Sequence, residues 1–531
     1  MKKVVIYLLS LLLCIACTNN YGKHSKEVLR VAIGNEPDTL DPGYANDTAA
    51  TRIVYDLFAG LMDFNQKNEI IPGLAKKFEI SADGLTYTFY LRHNLRFSNG
   101  LPLTAHDFVY SWKRLVNPKL DFPNANILNN VVNAEGIRSR KLSVDKLGIE
   151  AKNNTTFVVH LVHPDINFIK SCAGINLMVV PETVISRYGK SWTHPQHIAT
   201  SGAYMLKQHV FNGYVLVQKN PYFWDANHVL IDKIKYIPYL DISTGLDAYK
   251  SGEVDIADIP LNSTKSLLRK NKKEVYIVPE EGVYSLDFNM KSPIFMNNLK
   301  LRQALSMAID REVLVNDILY QKEEPLYSIV TATIENGKYK NFAYPWSTLS
   351  SKDRVIAAQN LYKAAGYSFL NPLYVTINFN NNDLNKKVIL AVASMWQNTL
   401  GVKVILKSQG FNVFLNDRRN GAFMIARNAW IPDNDTVFSY LETHMCNSPQ
   451  NYSGYCNKDY DSLLHVASTD VNENDRAVLY GNAIKIAEYD YISIPIFKYT
   501  YAKMVKPYVR GYKIEENSFN HVQSKWLDLA N

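Results

Sequence analysis

The chain has 531 residues, more than one ordinary hydrophobic core accommodates, so two or more lobes are expected. Hydrophobic residues make up 47% of the chain, which excludes an extended disordered protein. The 58 Lys and Arg residues exceed the 50 Asp and Glu residues and give a formal charge of +8, but they are interspersed, so the concentrated basic footprint of a nucleic-acid-binding protein is absent.

The N-terminal residues have the pattern of an export signal. Lys2 and Lys3 precede an apolar stretch over residues 4–13, which is too short to span a bilayer but suits the hydrophobic region of a signal peptide. The sequence Ile-Ala-Cys that ends at Cys17 resembles the end of a bacterial lipobox. We therefore predict a signal peptide over residues 1–16 and a periplasmic protein anchored to a membrane by a lipid on Cys17. Ordinary cleavage that releases a free protein is the alternative.

The first half of the chain contains two predicted strands and one well-marked helix. An apolar strand covers residues 28–33, and strongly apolar side chains recur at every second position of residues 86–92, as in a half-buried strand. Thr104, with Asp107 three residues later, has the pattern of a capping box at the start of a helix. The apolar stripe of that helix consists of Phe108, Val109, Trp112, Leu115 and Val116. We expect its aromatic side chains to lie in a core.

The second half alternates helices and strands. We predict a helix over residues 299–319, and a second helix that begins with Asp353 as its N-cap and ends at Gly366. Alternating apolar residues then predict a strand over 373–379. The next predicted elements are a helix, a strand, a helix and a strand at residues 384–399, 402–406, 413–419 and 423–427. This βαβαβ order predicts a mostly parallel sheet covered by helices.

The end of this unit is the predicted ligand site. In open α/β sheets, ligands bind beyond the carboxyl ends of the strands, where the connections diverge. The loop over residues 428–435 follows the strand at 423–427. It combines the aromatic side chain of Trp430 with carboxylates, directly after Arg427.

Sequence motifs of catalysis and metal binding are missing. No HExxH, GxSxG, P-loop or GxGxxG motif occurs, so nothing supports an enzyme. Cys172, Cys446 and Cys456 have no accompanying His pattern suited to a metal, and we predict no cofactor. Outside the cytosol, Cys446 and Cys456 could close a local disulfide, although sequence alone does not establish the pairing.

Short motifs along the mature chain resemble one family. They are residues 35–42 (NEPDTLDP), 56–61 (DLFAGL), 72–75 (PGLA), 83–89 (DGLTYTF), 97–100 (FSNG), 200–204 (TSGAY), 220–224 (NPYFW), 301–305 (LRQAL) and 309–311 (IDR). In this order they resemble the oligopeptide-binding proteins of ABC peptide importers, which are extracytoplasmic solute-binding proteins of family 5. Any one motif could arise by chance, but the ordered series covers essentially the whole mature chain.

The resemblance implies an α/β fold of the periplasmic-binding-protein-like type II. Two lobes are joined by a hinge, and an extra α/β domain is inserted near the N-terminus. Lobe I is built from residues 17–49, 183–278 and 500–531, the inserted domain from residues 50–182, and lobe II from residues 279–499. Closure of such lobes buries the ligand, and the importer senses the closed form.

The resemblance also implies that the chain captures short peptides, from dipeptides to pentapeptides, and delivers them to the permease subunits of an ABC importer. Main-chain hydrogen bonds supply affinity for any peptide, and fixed charges hold its two ends. The expected protein is a monomer that is not an enzyme and binds no nucleic acid. Because some relatives bind muropeptides, these cell-wall peptides are the alternative ligand on the same fold.

One residue is central to the implied peptide site. Aligned on the pattern Ala426-Arg427-x-x-Trp430-x-x-Asp433, the family resemblance makes Asp433 the carboxylate that pairs with the α-amino group of the peptide. The residues expected along the extended peptide, in the manner of an edge strand, are Asn428, Ala429 and Trp430, with Glu36 and Pro37 facing them from lobe I.

Further positions complete or depart from the family pattern. Arg427 and Arg418 match positions that serve ligand carboxylates or side-chain charges, with a structural ion pair as the alternative for each. Phe411 matches an aromatic position in a side-chain pocket, with a core position as the alternative. Asn385 stands where the family has a histidine near the carboxylate end of the ligand, and Ile431 stands where some members have a disulfide cysteine. The departure at Asn385 leaves open the preferred peptide length and the contacts of the peptide's carboxyl end.

Overall fold

The computed structural model describes residues 28–165, 167–432, 435–470, 472–513, 519 and 522–530, and these form a mixed α/β fold. The strands are β1 Val28–Ile33, β2 Met62–Phe64, β3 Ile70–Pro72, β4 Ala75–Ile80, β5 Thr86–Leu91, β6 Ile149–Asn153, β7 Thr156–His160, β8 Tyr204–Val210, β9 Tyr214–Lys219, β10 Lys233–Pro238, β11 Ile256–Asp258, β12 Val275–Phe288, β13 Glu324–Pro325, β14 Tyr374–Asn380, β15 Lys403–Gln409, β16 Ile425–Trp430, β17 Ser493–Val505, β18 Val509–Arg510 and β19 Asp528–Leu529. The α-helices are α1 Thr48–Leu57, α2 Ala105–Leu115, α3 Ala134–Arg138, α4 Phe168–Ser171, α5 Glu182–Tyr188, α6 Ile242–Ser251, α7 Leu261–Lys270, α8 Pro293–Met296, α9 Leu299–Met307, α10 Arg311–Val313, α11 Ile334–Gly337, α12 Ser351–Ala364, α13 Asp383–Leu400, α14 Phe411–Arg419, α15 Phe438–Leu441, α16 Lys458–Thr469 and α17 Glu473–Asp490.

One mixed sheet organises most of these elements. Its strands follow the order β15, β14, β16, β12, β17, β11, β1, β10, β9, β8, and β13 pairs with β17 as an additional strand. At its centre, β12 and β17 are long antiparallel strands of 14 and 13 residues. A separate antiparallel sheet, in the order β4, β5, β7, β6, lies within the segment predicted to form the inserted domain.

Two large apolar cores lie on either side of this centre. The strands β12 and β17 pass from one core to the other: Val278 and Val505 belong to the first core, whereas Leu286 and Ile496 belong to the second. The first core also takes in β1 and the separate four-stranded sheet. The second contains the apolar faces of α9, α13 and α17.

The pairing of β12 with β17 is interrupted between the two cores. Pro279 pairs with Thr500 and Val283 pairs with Lys498, so residues 280–282 face a single residue of β17. A bulge of this kind locally disrupts the hydrogen-bond ladder and bends the strand. The connection between the cores is therefore a bent two-stranded ribbon.

The predicted βαβαβ unit is confirmed. The elements β14, α13, β15, α14 and β16 follow in that order, and β14 pairs in parallel with both β15 and β16. The alternating apolar residues that predicted β14 are all buried: Leu373, Val375, Ile377 and Phe379. The predicted parallel pairing holds within this unit, but β12 and β17 continue the sheet in antiparallel pairing.

The predicted capping box before α2 is also confirmed. The backbone N–H of Thr104 donates to Oδ2 of Asp107 at 2.8 Å, so the first turn is closed by its own side chains. The side chains of Phe108, Trp112 and Leu115 are buried, as expected for a core-facing stripe.

Two helix predictions were wrong in detail. The helix predicted over residues 299–319 is broken: α9 ends at Met307, and Asp310 starts a new turn by accepting a hydrogen bond from the N–H of Val313 at 3.1 Å. The N-cap of α12 is Ser350, whose Oγ accepts from the N–H of Asp353 at 3.1 Å. Both Ser and Asp are good capping residues, and an Asp in the first turn favours the helix through its charge.

Cysteine pairing is settled by the structure. Cys446 and Cys456 form a disulfide, and Cys172 is a buried free thiol. The predicted signal peptide and Cys17 lie outside the described residues. Within the described part of the chain, no helix is both long and apolar enough to cross a bilayer.

Candidate functional site

The predicted ligand loop begins as a strand. Asn428, Ala429 and Trp430 belong to β16, because β12 pairs with them residue by residue. On the opposite side, β14 pairs with β16 only as far as Ala426. Among the described residues, no strand pairs with residues 427–430 on that side, so the backbone there presents an open edge.

Arg427 is held by uncharged groups. Its Nη2 donates to the hydroxyl of Tyr499 at 2.6 Å, and its guanidinium lies 5.2 Å from the ring centre of Tyr284. Its Nη1 lies 3.4 Å from Oδ1 of Asn380, which also accepts the side-chain amide of Asn385 at 2.8 Å. Within the described ranges Arg427 has no carboxylate partner. The structural ion pair, which was the alternative role for Arg427, is therefore not formed with any described residue.

Arg418 does form a structural ion pair, the alternative that the sequence left open. Its Nη2 lies 3.0 Å from Oδ2 of Asp287, and the ring centre of Tyr452 lies 4.8 Å from its guanidinium. Burial lowers the pKa of Arg418 and raises the pKa of Asp287, while their mutual attraction opposes both shifts. The positive charge of Arg418 is therefore already balanced within the protein.

A cavity of about 150 Å³ lies against β16. Its walls come from β12, α14, β16 and the segment before and within the disulfide loop. The lining residues are Asp287, Leu415, Arg418, Asn428, Ala429, Trp430, Thr443, His444, Gln450, Asn451, Tyr452 and Ser453. Burial lowers the pKa of His444 to about 4, so this imidazole is neutral at pH 7.

Buried polar atoms without a partner are concentrated around β12 and β16. Among the described residues, eight side-chain nitrogen or oxygen atoms are buried without a hydrogen bond, and six of them lie in this region. These six are Glu280 Oε2, Tyr284 OH, Asn385 Oδ1, Arg418 Nε, Arg427 Nε and Trp430 Nε1. Each such group costs about 1–3 kcal/mol when it stays unsatisfied. Their concentration is typical of a site that a ligand or water completes.

Two acids in the bulge of β12 were not predicted. Glu281 forms a buried ion pair with Lys498, at 2.9 Å between Oε1 and Nζ, and accepts hydrogen bonds from the hydroxyls of Thr331 and Thr333. Glu280 is buried, and burial raises its pKa to about 7. The feature that could have identified Glu280 and Glu281 is a pair of adjacent acids within a strand that is buried on both sides. Buried charges require partners or serve a function.

The predicted lobe I contacts stay predictions. Pro37 is buried in the loop after β1. Oε1 of Glu36 lies 2.5 Å from Nε2 of His209, and Oε2 accepts from the backbone N–H of Asn212. These described contacts of Glu36 are to residues of the predicted lobe I, on the far side of the β12–β17 ribbon from β16.

Phe411 does not occupy a core. It is the first residue of α14 and is 56% exposed, so the core alternative was wrong, and it is not among the residues that line the cavity. Asp433 lies outside the described residues, and its role stays a prediction. In the described ranges, no cluster of three or more His, Cys, Asp or Glu side chains is arranged to hold a metal ion.

Two cores joined by a bent ribbon, with unsatisfied polar groups beside that ribbon, define a two-lobed binding protein. The family model for bacterial extracellular solute-binding proteins, family 5, middle region, matches residues 69–452, and the chain belongs to this family.

Individual relatives agree with this assignment. The chain is 33% identical over 483 residues to the periplasmic oligopeptide-binding protein OppA of Salmonella typhimurium, covering 90% of this chain and 88% of that protein. The structure of the Escherichia coli murein tripeptide binding protein MppA is 32% identical with a TM-score of 0.81, covering 96% and 99% of the two chains. Haemophilus influenzae OppA in complex with RPPGFSPFR is 31% identical with a TM-score of 0.80, also covering 96% and 99%. The predicted family and type II fold are thus confirmed, and each of these relatives is a peptide-binding protein.

Proposed function

We propose that the chain is an extracytoplasmic lipoprotein that captures short peptides between two lobes and delivers them to the permease of an ABC importer. The observation that carries this proposal is the open edge of β16 over residues 427–430, surrounded by buried polar atoms that lack partners. An extended peptide adds to such an edge through its main chain, so its binding does not depend on its side chains.

In this proposal, fixed charges hold the ends of the peptide. Asp433, three residues beyond the end of β16, accepts the α-amino group. Arg427 serves the peptide carboxylate, since its described partners are uncharged, and Asn385 reaches the same region through Asn380. Glu36 and Pro37 approach the peptide when lobe I closes.

The bulge supports a hinge at the proposed lobe boundaries. Lobe I would end at residue 278 and begin again at residue 500, and the interruption over residues 280–282 lies directly at these crossings. Residues 50–182 would form the inserted domain, which accords with the separate sheet found there. Lipid on Cys17 would hold the receptor near its permease.

Native mass spectrometry of the protein purified from cells tests the proposal. We expect wild type to carry a mixture of short peptides and Asp433→Asn to carry almost none, because an unpaired buried ammonium costs roughly 3–5 kcal/mol. The exposed Asp459 supplies the matched control Asp459→Asn, which should keep the full load. Wild type without peptide masses, or an Asp433→Asn variant with an unchanged load, would contradict it.

A murein peptide is the second candidate ligand. The likeness to murein tripeptide binding protein MppA favours it, as does the guanidinium of Arg418 beside β16, which could meet the additional carboxylate of such a ligand. The existing pair with Asp287 weighs against it. Displacement of a labelled tripeptide at lower concentrations of murein tripeptide than of trialanine would favour this candidate, and equal displacement would favour general peptide capture.

A further inference from the structure

The disulfide Cys446–Cys456 closes a loop that forms one wall of the cavity. We call residues 446–456 the stapled loop. Four lining residues, 450–453, belong to it, and His444 lies two residues before it. The remaining walls belong to β12, α14 and β16, including residues 428–430 of the proposed peptide edge.

The stapled loop is held in one conformation by its own hydrogen bonds. The side-chain amide of Asn451 donates to the carbonyls of Met445 at 2.9 Å and Tyr455 at 2.7 Å, and its Oδ1 accepts from the N–H of Gly454 at 3.0 Å. The N–H of Cys446 donates to the carboxylate of Asp461 in α16 at 3.2 Å. One asparagine thus bridges both ends of the loop, and the disulfide joins these ends covalently.

This conformation places Tyr452 against the charged wall of the cavity. Its ring lies 4.8 Å from the guanidinium of Arg418, on a side chain that is already paired with Asp287. A guanidinium that lies against an aromatic ring and is paired with a carboxylate is restricted in the orientations it can take. Asp287 and Tyr452 of the stapled loop therefore both restrict the direction of its remaining N–H group.

Two of the side chains that line the cavity carry hydrogen-bond donors without acceptors. Nε of Arg418, a side chain that is 7% exposed, and Nε1 of Trp430 are both buried with no partner among the described residues. The lining residues carry one positive charge and one negative charge, which balance, and His444 is neutral at pH 7. A neutral ligand group that accepts hydrogen bonds satisfies these donors and keeps the net charge of the lining side chains at zero. A carboxylate would add a second negative charge beside Asp287.

The size of the cavity fits such a group. One water needs about 10–15 Å³ of such volume, so the cavity of about 150 Å³ has room for a side chain that ends in an amide. A glutamine side chain fits this space, and its amide supplies the acceptor oxygen that the two donors lack and an NH2 for Asp287.

We propose that the stapled loop and Tyr452 form the specificity-determining wall of a subsite that selects a peptide side chain ending in a carboxamide over one ending in a carboxylate or a hydrocarbon. This inference rests on the proposed peptide-binding function and deepens it. The disulfide acts indirectly, because it holds Tyr452 in place and Tyr452 in turn orients Arg418.

Calorimetric titration of the full mature chain tests the proposal. The ligands are alanine tripeptides in which Gln, Glu or Met replaces each of the three positions in turn, with trialanine as the reference. At one position we expect Gln to bind about tenfold more tightly than Glu or Met, the gain from satisfying one or two buried donors. Tyr452→Ala should reduce this preference, taken as the ratio of the two dissociation constants, to about twofold. Tyr489→Ala, which alters a 70% exposed tyrosine, is the matched control and should keep the preference.

Reduction of the wild-type protein provides a test that needs no substitution. Cys446–Cys456 is the disulfide found in the described part of the chain, so a phosphine reductant acts at this loop. A count of free thiols then verifies that the disulfide is reduced. We expect the reduced protein to bind trialanine as before and to lose the preference for Gln. A preference that survives both reduction and Tyr452→Ala, or tightest binding of the Glu peptides, would overturn the inference while peptide binding stands. Absence of binding to every peptide would overturn the proposed function and this inference with it.

Discussion

The carboxylate of Asp287 and the guanidinium of Arg418 are buried together at the base of the cavity. A buried pair of this kind adds little net stability relative to apolar residues, because both charges lose their water. Its effect is instead to fix a charged side chain in one orientation beside β16. Removal of one partner is costly, because the other remains charged in a buried position.

Asp287→Asn should therefore lower the free energy of unfolding by roughly 3–5 kcal/mol, since it leaves Arg418 unpaired. Urea unfolding followed by circular dichroism measures the change. Glu79→Gln removes one partner of the exposed pair Lys77–Glu79 and serves as the control with little expected effect. Equal urea concentrations at the unfolding midpoints of Asp287→Asn and wild type would show that the buried pair is not a structural constraint.

Glu280 should make the free energy of unfolding depend on pH with a sign opposite to that of an ordinary carboxylate. Burial raises its pKa to about 7, so between pH 4.5 and 7 the folded state holds the proton that the unfolded state releases. The stability from this group is present below pH 4.5 and is lost as the pH rises through 7.

We expect Glu280→Gln to unfold with a free energy roughly 3 kcal/mol higher than wild type at pH 8, and to differ little from it at pH 4.5. Chemical unfolding of both proteins across this pH range gives the difference. A difference that does not change with pH would rule out titration of Glu280 as its source.

Sequence patterns predicted some site residues and missed others for a physical reason. Arg427 and Trp430 were predicted because they lie at the end of a recognisable strand within a family motif. Asp287 is far in sequence from His444 and Tyr452, and only the tertiary fold brings it to the same cavity as these two residues. No local pattern in the sequence predicts that residues so far apart in the chain line one cavity.

At the scale of the elements, β14 was predicted well and β16 incompletely. The alternation that marks β14 is a local property, since one face of that strand lies in the core. The extension of β16 through Trp430 depends on pairing with β12, about 140 residues earlier in the chain, and the short-range sequence carries no sign of it. The bulge at residues 280–282 also arises from a long-range pairing, that of β12 with β17.

The bulge gives a prediction for Gly282. A Cβ at this position would lie 3.1 Å from both Cγ1 of Ile431 and Cδ2 of Tyr499. Gly282→Ala should displace Ile431 next to the peptide edge, lower the free energy of unfolding by about 1 kcal/mol and weaken peptide binding. Gly34→Ala, where a Cβ meets no atom within 4 Å, is the control for both urea unfolding and calorimetry. A Gly282→Ala protein that behaves like Gly34→Ala would mean that the bulge accommodates the methyl group freely.

In the molecule as a whole, β12 and β17 connect the two cores, and the proposed closure would move one core against the other. The ribbon is bent at the bulge, and the site described above lies on the side of the second core. The family resemblance predicted this architecture because it rests on motifs spread over the whole chain. Periodicity alone predicted the βαβαβ unit but not the antiparallel ribbon, since strands so distant in sequence have no common local signal.

The proposed function requires that Asp433 neutralise the amino end of a short peptide held between the lobes. Calorimetric titration with trialanine and with N-acetyl-trialanine, at equal ionic strength, isolates this contribution. We expect the acetylated peptide to bind at least roughly 100-fold more weakly, since it brings no ammonium group to pair with Asp433. Equal affinity of the two peptides would show that no such pairing occurs.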